Sequence, residues 1–416
     1  MRSVMLQRLV VTGASGYIGA RFVERAQRRG CEVVALGSKP AGSDVVATPW
    51  RLGETPPLSV FAGAAAVVHL AYDWASDRVH GASPGNPNLI GTEMLARMAQ
   101  EAGVPRFIFA STTSARRGAL NAYGRVKYQA EESLNALPRS EGRVLCARVG
   151  LVYGGPERGQ YGLMSKLTSL PVLPMFGLER EVQPIHVDEV CDGVLTLALD
   201  PPAGRPTVVL AGPHPMTFET WLRMLRRARL GRRLMLVPVP ISFALKLCDW
   251  SRSIPFIPTV DRERVLGLAG AARMESSADL SALGLSLRAP MQALMDSRVA
   301  RRRLLEECAA LLRYVAGVPI RAPGPIIRLA RVVRADPAFR SALPFPILRW
   351  PALLRLFEPI RPSMQHGLAR RLHLAAMVAE TSEQALKRSG FIALAGQVAL
   401  EALALPFRLL LGRVLA

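Results

Sequence analysis

The stretch VTGASGYIG, residues 11–19, places glycines at 13, 16 and 19, directly after the apolar residues Leu9 and Val10 and ahead of a polar–apolar segment ending near Gly30. A strand-to-helix turn offers unpaired N–H groups and the positive end of a helix dipole, both of which favour a pyrophosphate. Side chains at Gly13 or Gly16 would block its approach, and one at Gly19 would push the helix off the strand. A glycine triplet is weak evidence alone, so its surroundings decide the reading.

Those surroundings alternate. Residues 9–12, 31–36, 65–71, 106–111 and 143–149 read as short apolar strands. Residues 17–29, 88–102 and 123–136 read as amphipathic helices between them. Strands separated by helices imply right-handed crossovers, so the expected fold is α/β: a doubly wound, Rossmann-type parallel sheet, with a smaller substrate subdomain and a C-terminal helical extension. The expected division is 1–290 for the nucleotide-binding domain, its substrate-binding portion mainly 151–290, and 291–416 for a basic, mainly helical extension.

Composition narrows the class. Half of the 416 residues are hydrophobic, enough for a large core, and no apolar run approaches the roughly 18 residues a membrane span needs. The first residues lack a signal-peptide pattern, which sets the expectation of a cytoplasmic protein. Five scattered cysteines without CxxC pairs and six histidines without HxH or HExxH spacing imply a reducing compartment and no metal site. The net charge is +21 with only five lysines, an arginine bias that a GC-rich genome can also produce. The excess is concentrated: residues 297–416 carry 19 Arg and Lys against 7 Asp and Glu, a net of +12.

The GxxGxxG spacing, followed by VVHLA (67–71), NLIGT (88–92), RFIFAST (106–112), Tyr123-Gly124-Arg125-Val126-Lys127, ARVGLVYGGP (147–156) and PIHVDEV (184–190), resembles the extended or atypical short-chain dehydrogenase/reductases, the NAD-dependent epimerase/dehydratase family. The resemblance covers roughly residues 6–290. It implies an NAD(P) cofactor held by Gly13, Ser15, Gly16, Tyr17, Ile18, Gly19, Ser38, Lys39, Leu70, Ala71 and Lys127. It also implies a catalytic Thr112, Tyr123 and Lys127 that support hydride transfer at a secondary alcohol or ketone carbon, of a sugar nucleotide or a lipid-linked substrate. The alternatives are a 3β-hydroxysteroid-type or isoprenoid ketoreductase and a non-catalytic NADP-binding accessory subunit.

The residues themselves argue alongside. Tyr123 and Lys127, four apart on one helix, share a face, and an ammonium beside a phenol is expected to lower the phenol's pKa so that it exchanges a proton with substrate. The second strand ends in Gly37 where an acidic residue would hold an NAD ribose, and Ser38 and Lys39 follow, which favours NADP mildly. Ten residues separate Thr112 from Tyr123, a short loop whose Arg116 and Arg117 are candidates for a substrate phosphate or carboxylate. His186 is read as a structural residue of the subdomain junction and Asp188 as a helix cap. The proline-rich apolar segment 238–259 suggests a groove lining. Beyond residue 290, leucines at helical spacing over 297–315, recurrent prolines, a helix-like stretch at 366–387 and an interrupted apolar tail at 391–416 suggest a region lying on an anionic membrane surface, the protein then being peripheral on the inner face. The expected partners are a small-molecule substrate and that surface, with a homodimer as a further candidate; basic charge without interleaved aromatics leaves no expectation of nucleic acid.

Overall fold

A computed structural model describes residues 7–37, 45–138, 143–230, 233–243, 245–246, 262–270, 272–317, 323–335, 343, 345–357 and 367–380. Ser38, Lys39, most of segment 238–259 and the tail 391–416 lie outside the described residues.

The chain divides into two compact units, Met1–Leu225 with Leu234–Ala293, and Arg226–Arg233 with Leu294–Ala416. In the first, β1 (Arg8–Thr12), β2 (Glu32–Leu36), β3 (Val46–Thr48), β4 (Ala64–His69), β5 (Arg106–Thr112), β6 (Arg143–Val149) and β11 (Thr207–Leu210) form one sheet. Its order is β11-β6-β5-β4-β1-β2-β3 and every pairing is parallel. The chain runs from β1 outward through β2 and β3, then returns to the other side of β1 with β4. That reversal opens a crevice beyond the carboxyl ends of β1 and β4, where doubly wound sheets bind ligands.

Both faces are covered, as near-continuous apolar strands require. Period-two alternation sends Leu9 and Val11 to one face, against Phe22, Val23 and Ala26 of α1 (Tyr17–Arg28) and Val190 and Val194 of α6 (Val187–Leu199). It sends Val10 to the other, against Leu95 and Ala99 of α3 (Pro87–Glu101) and Ala130 and Leu134 of α4 (Ala122–Asn135). Three two-stranded pairs lie outside this sheet: β7 (Leu151–Tyr153) with β10 (Pro184–His186), β9 (Glu181–Val182) with β12 (Met216–Thr217), and β8 (Val172–Met175) with β13 (Met235–Pro238).

The second unit is helical, with Arg298–Ala316, Pro323–Ala335, Phe345–Arg349 and Gly367–Glu380 around a core that includes Leu311, Leu312, Leu329, Val333 and Leu372. Its helices stop where the prolines predict, and Gly317 closes the first of them in the left-handed conformation. Among the described residues no helix is long and apolar enough to cross a membrane.

Candidate active site

The glycine turn sits at the sheet's reversal point, and each glycine answers to a different neighbour. Gly13 has φ +68°, and a Cβ there would meet Ala71 N at 2.7 Å and the Leu70 carbonyl carbon at 2.8 Å, so this glycine lets the turn pass against the end of β4. A Cβ on Gly19 would lie 2.0 Å from the Gly13 carbonyl oxygen, so α1 folds back against its own turn. Gly16, the α1 N-cap, is exposed, and a Cβ there would meet only the Gly13 oxygen, at 3.0 Å. Around Gly16 the space is open. Helix α1 has no side-chain cap and no acidic residue in its first turn, which leaves its N-terminal donors for an anion. Ser15 is exposed beside Gly16, and Ile18, Leu70 and Ala71 are half-buried around the turn. The Tyr17 hydroxyl donates to the Gly154 carbonyl at 2.6 Å, so what Tyr17 brings to the turn is its backbone.

Beneath the turn runs a buried polar chain. Thr92 Oγ1 donates to Asn88 O at 2.6 Å, so His69 Nε2–H must donate to Thr92 Oγ1 at 2.9 Å. That tautomer leaves His69 Nδ1 to accept from Thr12 Oγ1 at 2.7 Å, while Thr12 Oγ1 accepts from Ala71 N at 3.2 Å. Every member is satisfied. Burial, with the Lys127 charge nearby, pulls His69 down to about 3, so the ring is a neutral strut between β1, β4 and α3.

Thr112 ends β5 and Tyr123 opens α4, and both side chains line one cleft. Asn121 caps that helix by accepting from Gly124 N. Lys127, one turn on, is buried; its ammonium donates to Ala110 O at 2.6 Å and lies 4.3 Å over the Phe109 ring and 4.9 Å over Tyr72. Glu131, another turn on and also buried, takes Arg148 of β6 in a paired bond and ties α4 to the sheet.

The electrostatics differ from the expectation that Lys127 lowers the tyrosine. Burial pushes the Tyr123 hydroxyl up, the Asp77 carboxylate adds to the effect, and the Thr112 side chain only partly opposes it. Burial likewise brings Lys127 down to about 7, against the pull of Glu131, Cys146 and Asp77. At both groups desolvation outweighs attraction, because burial penalises each charged form.

Tyr123 faces an aromatic wall, stacked on Trp74 with ring centroids 4.6 Å apart and meeting Tyr72 edge-on at 4.8 Å. Tyr72 donates to Asp77 at 2.7 Å, and Asn86 holds that carboxylate from the other side. The cleft beside Tyr123 is lined by Trp74, Thr112, Asn121, Gln160, Gln183 and Glu263 among others. The loop arginines lie elsewhere: Arg116 donates to Gly270 O at 2.6 Å, Arg117 is exposed, and neither lines this cleft.

Residues 9–212 match the sequence model of the NAD dependent epimerase/dehydratase family. That match covers a little under half of the chain. An uncharacterized protein of Mycobacterium tuberculosis is 28% identical over 239 residues, covering 56% of this chain, and the chain spans about a quarter, 24%, of that relative's length. The UDP-glucose 4-epimerase of Vibrio cholerae is 23% identical over 266 residues, covering 57% of this chain and 80% of that protein. Among solved structures, MoeE5 in complex with UDP-glucose and NAD superposes with a TM-score of 0.54 at 20% identity, over 71% of this chain and 99% of that one. UDP-glucose 4-epimerase from Thermotoga maritima, with UDP-glucose, gives 0.55 at 18% identity over 71% and 99%. These likenesses confirm the extended epimerase/dehydratase fold.

Inside the family segment PIHVDEV the cap is His186, which accepts from Asp188 N at 3.2 Å in a capping box with Glu189. Asp188, expected as the cap, instead binds Arg21 of α1 with both carboxylate oxygens, and those contacts hold it down at about 2 against the opposing effect of burial. Residues that sequence reading missed include Trp74, Asp77 and Glu263, whose carboxylate accepts from Ala122 N at 2.6 Å across 141 positions. Asn121 was within reach, since an Asn just before a helix is an N-cap signal. Glu263 carries no local signal.

Proposed function

We propose that this protein is an NAD(P)-dependent oxidoreductase of the epimerase/dehydratase type that moves a hydride at a secondary carbinol or ketone carbon of a nucleotide-linked sugar. The observation that carries the reading is that Thr112 and Tyr123 line one cleft at the carboxyl end of the sheet, with Lys127 one turn along and the open glycine turn at the reversal point.

The turn fits a dinucleotide: Gly16 opens onto free space, α1 begins uncapped, and Leu70 and Ala71 line the turn's other side. Ser15, Tyr17 and Ile18 would hold the pyrophosphate through backbone N–H groups, Gly13 and Gly16 would leave room for its approach, and Lys127, with two ammonium donors beyond the one given to Ala110, would hold the ribose. A nicotinamide supplies or accepts the hydride when bound. The chain manages the proton. Tyr123 is protonated at rest, so in the reducing direction its hydroxyl gives the proton to the substrate oxygen as negative charge develops there. Thr112 donates to the same oxygen and fixes the carbon's position. In the oxidising direction Tyr123, having first given its own proton to solvent, would take the proton of the substrate hydroxyl, and a charged Lys127 one turn away would favour that phenolate.

The cleft supports a hydroxyl-rich substrate: Gln160 offers both a donor and acceptors, Glu263 places a carboxylate in its wall, and the indole of Trp74 offers a flat face to a sugar ring. MoeE5 and the Thermotoga maritima epimerase, which it resembles, were solved with UDP-glucose, which points the same way. For a 2′-phosphate on the cofactor's adenosine ribose, Gly37 just after β2 leaves no carboxylate to repel it, so NADP is the mildly favoured form.

The test is direct. The purified protein is incubated with NAD or NADP and a panel of nucleotide sugars, and products are separated by chromatography while dinucleotide binding is followed by calorimetry. At least one nucleotide sugar is expected to be converted, and Tyr123→Phe should lose at least a hundredfold in turnover while its dinucleotide Kd stays within about threefold, since general acid–base groups contribute roughly 10²–10⁴. A parent that binds neither dinucleotide, or a Tyr123→Phe variant with full turnover, overturns the assignment.

A further inference from the structure

The second unit carries an outward face that its own fold leaves unexplained. Its described carboxylates are largely committed: Glu306 to Arg302, Glu307 to Arg303 and the buried Arg371, and Asp296 to Arg334. The helix Pro323–Ala335 has no acidic residue. Leu329, Ala330 and Val333 enter the core, which turns Ile327, Arg328, Arg331, Val332 and Arg334 outward over an arc of roughly 160° at 100° per residue. Ile327 and Val332 are 48% and 43% exposed. Arg328 and Arg331 have no hydrogen-bond or ion-pair partner among the described residues. An occupant that is anionic and apolar at once would match both the exposed aliphatic side chains and the unneutralised guanidinium groups on this one face.

We propose that this face docks on an anionic lipid bilayer, with Arg328 and Arg331 at headgroup phosphates and Ile327 and Val332 at the acyl boundary. Guanidinium groups pair with phosphates through forked donors, and a branched aliphatic side chain at the interface leaves water for hydrocarbon. A nucleic acid would meet the arginines but leave Ile327 and Val332 in water, and this helix offers no aromatic side chain for base stacking. The +12 balance of residues 297–416 adds long-range attraction of the same sign.

The experiment uses the full chain and sedimentation with vesicles of phosphatidylcholine alone or of equal parts phosphatidylcholine and phosphatidylglycerol. The parent should bind only the anionic vesicles, and less as salt rises. Arg328→Gln/Arg331→Gln should lower the partition coefficient about thirtyfold, the fold-change that corresponds to about 1 kcal/mol per basic residue at an anionic surface. Ile327→Ser/Val332→Ser should lower it while leaving the salt dependence in place. Arg28→Gln/Arg97→Gln removes the same charge from exposed sites in the first unit and should leave binding unchanged. Circular dichroism checks that each variant stays folded. Failure of the parent to bind, equal binding to neutral vesicles, an equal loss in the Arg28/Arg97 control, or tighter binding to a DNA duplex than to anionic vesicles at the same salt would each overturn the proposal.

Discussion

The glycine turn and the Tyr123 cleft lie at the same end of one sheet, yet they follow different rules. At the turn, backbone atoms set the requirement: Gly13 and Gly19 each lie against main chain that no side chain can displace, and the spacing of the glycines states this in one dimension. At Tyr123 the requirement is set by burial. Lys127 stands at the spacing that should favour a phenolate, but packing under Phe109 and Tyr72 removes the water that would support either charge, and the phenol moves up instead of down. Steric motifs are local; electrostatic ones belong to the whole packed environment.

The largest effect should come where the backbone is tightest. Gly19→Val places a side chain 2.0 Å from the Gly13 oxygen, with Ala14 Cα at 2.9 Å, so neither the turn nor α1 can keep its position. We expect loss of well beyond 3 kcal/mol, seen as insoluble protein or a collapsed thermal transition. A variant that melts within a few degrees of the parent would break the claim that this glycine answers to the fold.

Gly16→Val is the contrasting case. Its Cβ has one neighbour, at 3.0 Å, so the fold should lose about 1 kcal/mol or less while dinucleotide affinity falls by at least a hundredfold, because the branched side chain fills the pyrophosphate's space. Calorimetry with NAD and NADP decides. Unchanged affinity would mean that the open space beside Gly16 is not the phosphate site, and the two glycines would no longer differ in kind.

The cleft can be tested through pH. Lys127 sits at about 7 when folded against an ordinary 10.5, so between those values the unfolded chain binds a proton that the folded one lacks, and stability rises with pH across the interval. Above about 8.5 the buried cysteines, and above about 10 the buried tyrosines, all raised by burial, reverse the trend. We therefore expect urea midpoints of the parent to climb from pH 7 to about 8.5, and Lys127→Met to flatten that climb by an amount on the order of 1–2 kcal/mol. A parallel rise in both proteins would show that the ammonium is solvated and that desolvation does not govern the site.

This contrast also explains what was legible. The strand–helix alternation, the turn and the Thr112–Tyr123–Lys127 series are local patterns, and all were readable. Strands β3 and β11 were not, because VAT and TVVL are too short to stand out from their loops. The reversal of strand order at β1 is a property of topology, not of spacing. Trp74, Asp77 and Glu263 reach the cleft from segments far from Tyr123 in sequence, and nothing near them marks that destination. Asp188 was misread for a related reason: an acid at the start of a helix satisfies the capping rule locally, while its actual partner, Arg21, lies 167 positions away.

The smallest effect sharpens the boundary between the two regions. Tyr17 stands inside the glycine motif, but its hydroxyl is 2.6 Å from Gly154 O, and burial pushes that hydroxyl up, as expected of a neutral donor. Tyr17→Phe removes one hydrogen bond and leaves the ring in place. The carbonyl left behind should make the loss about 1 kcal/mol, a shift of a few degrees in Tm. Dinucleotide affinity should stay within about twofold, since the backbone N–H of residue 17 is untouched and a twofold change is under 0.5 kcal/mol. A tenfold loss of affinity with unchanged Tm would reverse the assignment: the phenol would then leave Gly154 to meet the ligand, and a side chain, not only the backbone, would be part of the phosphate turn.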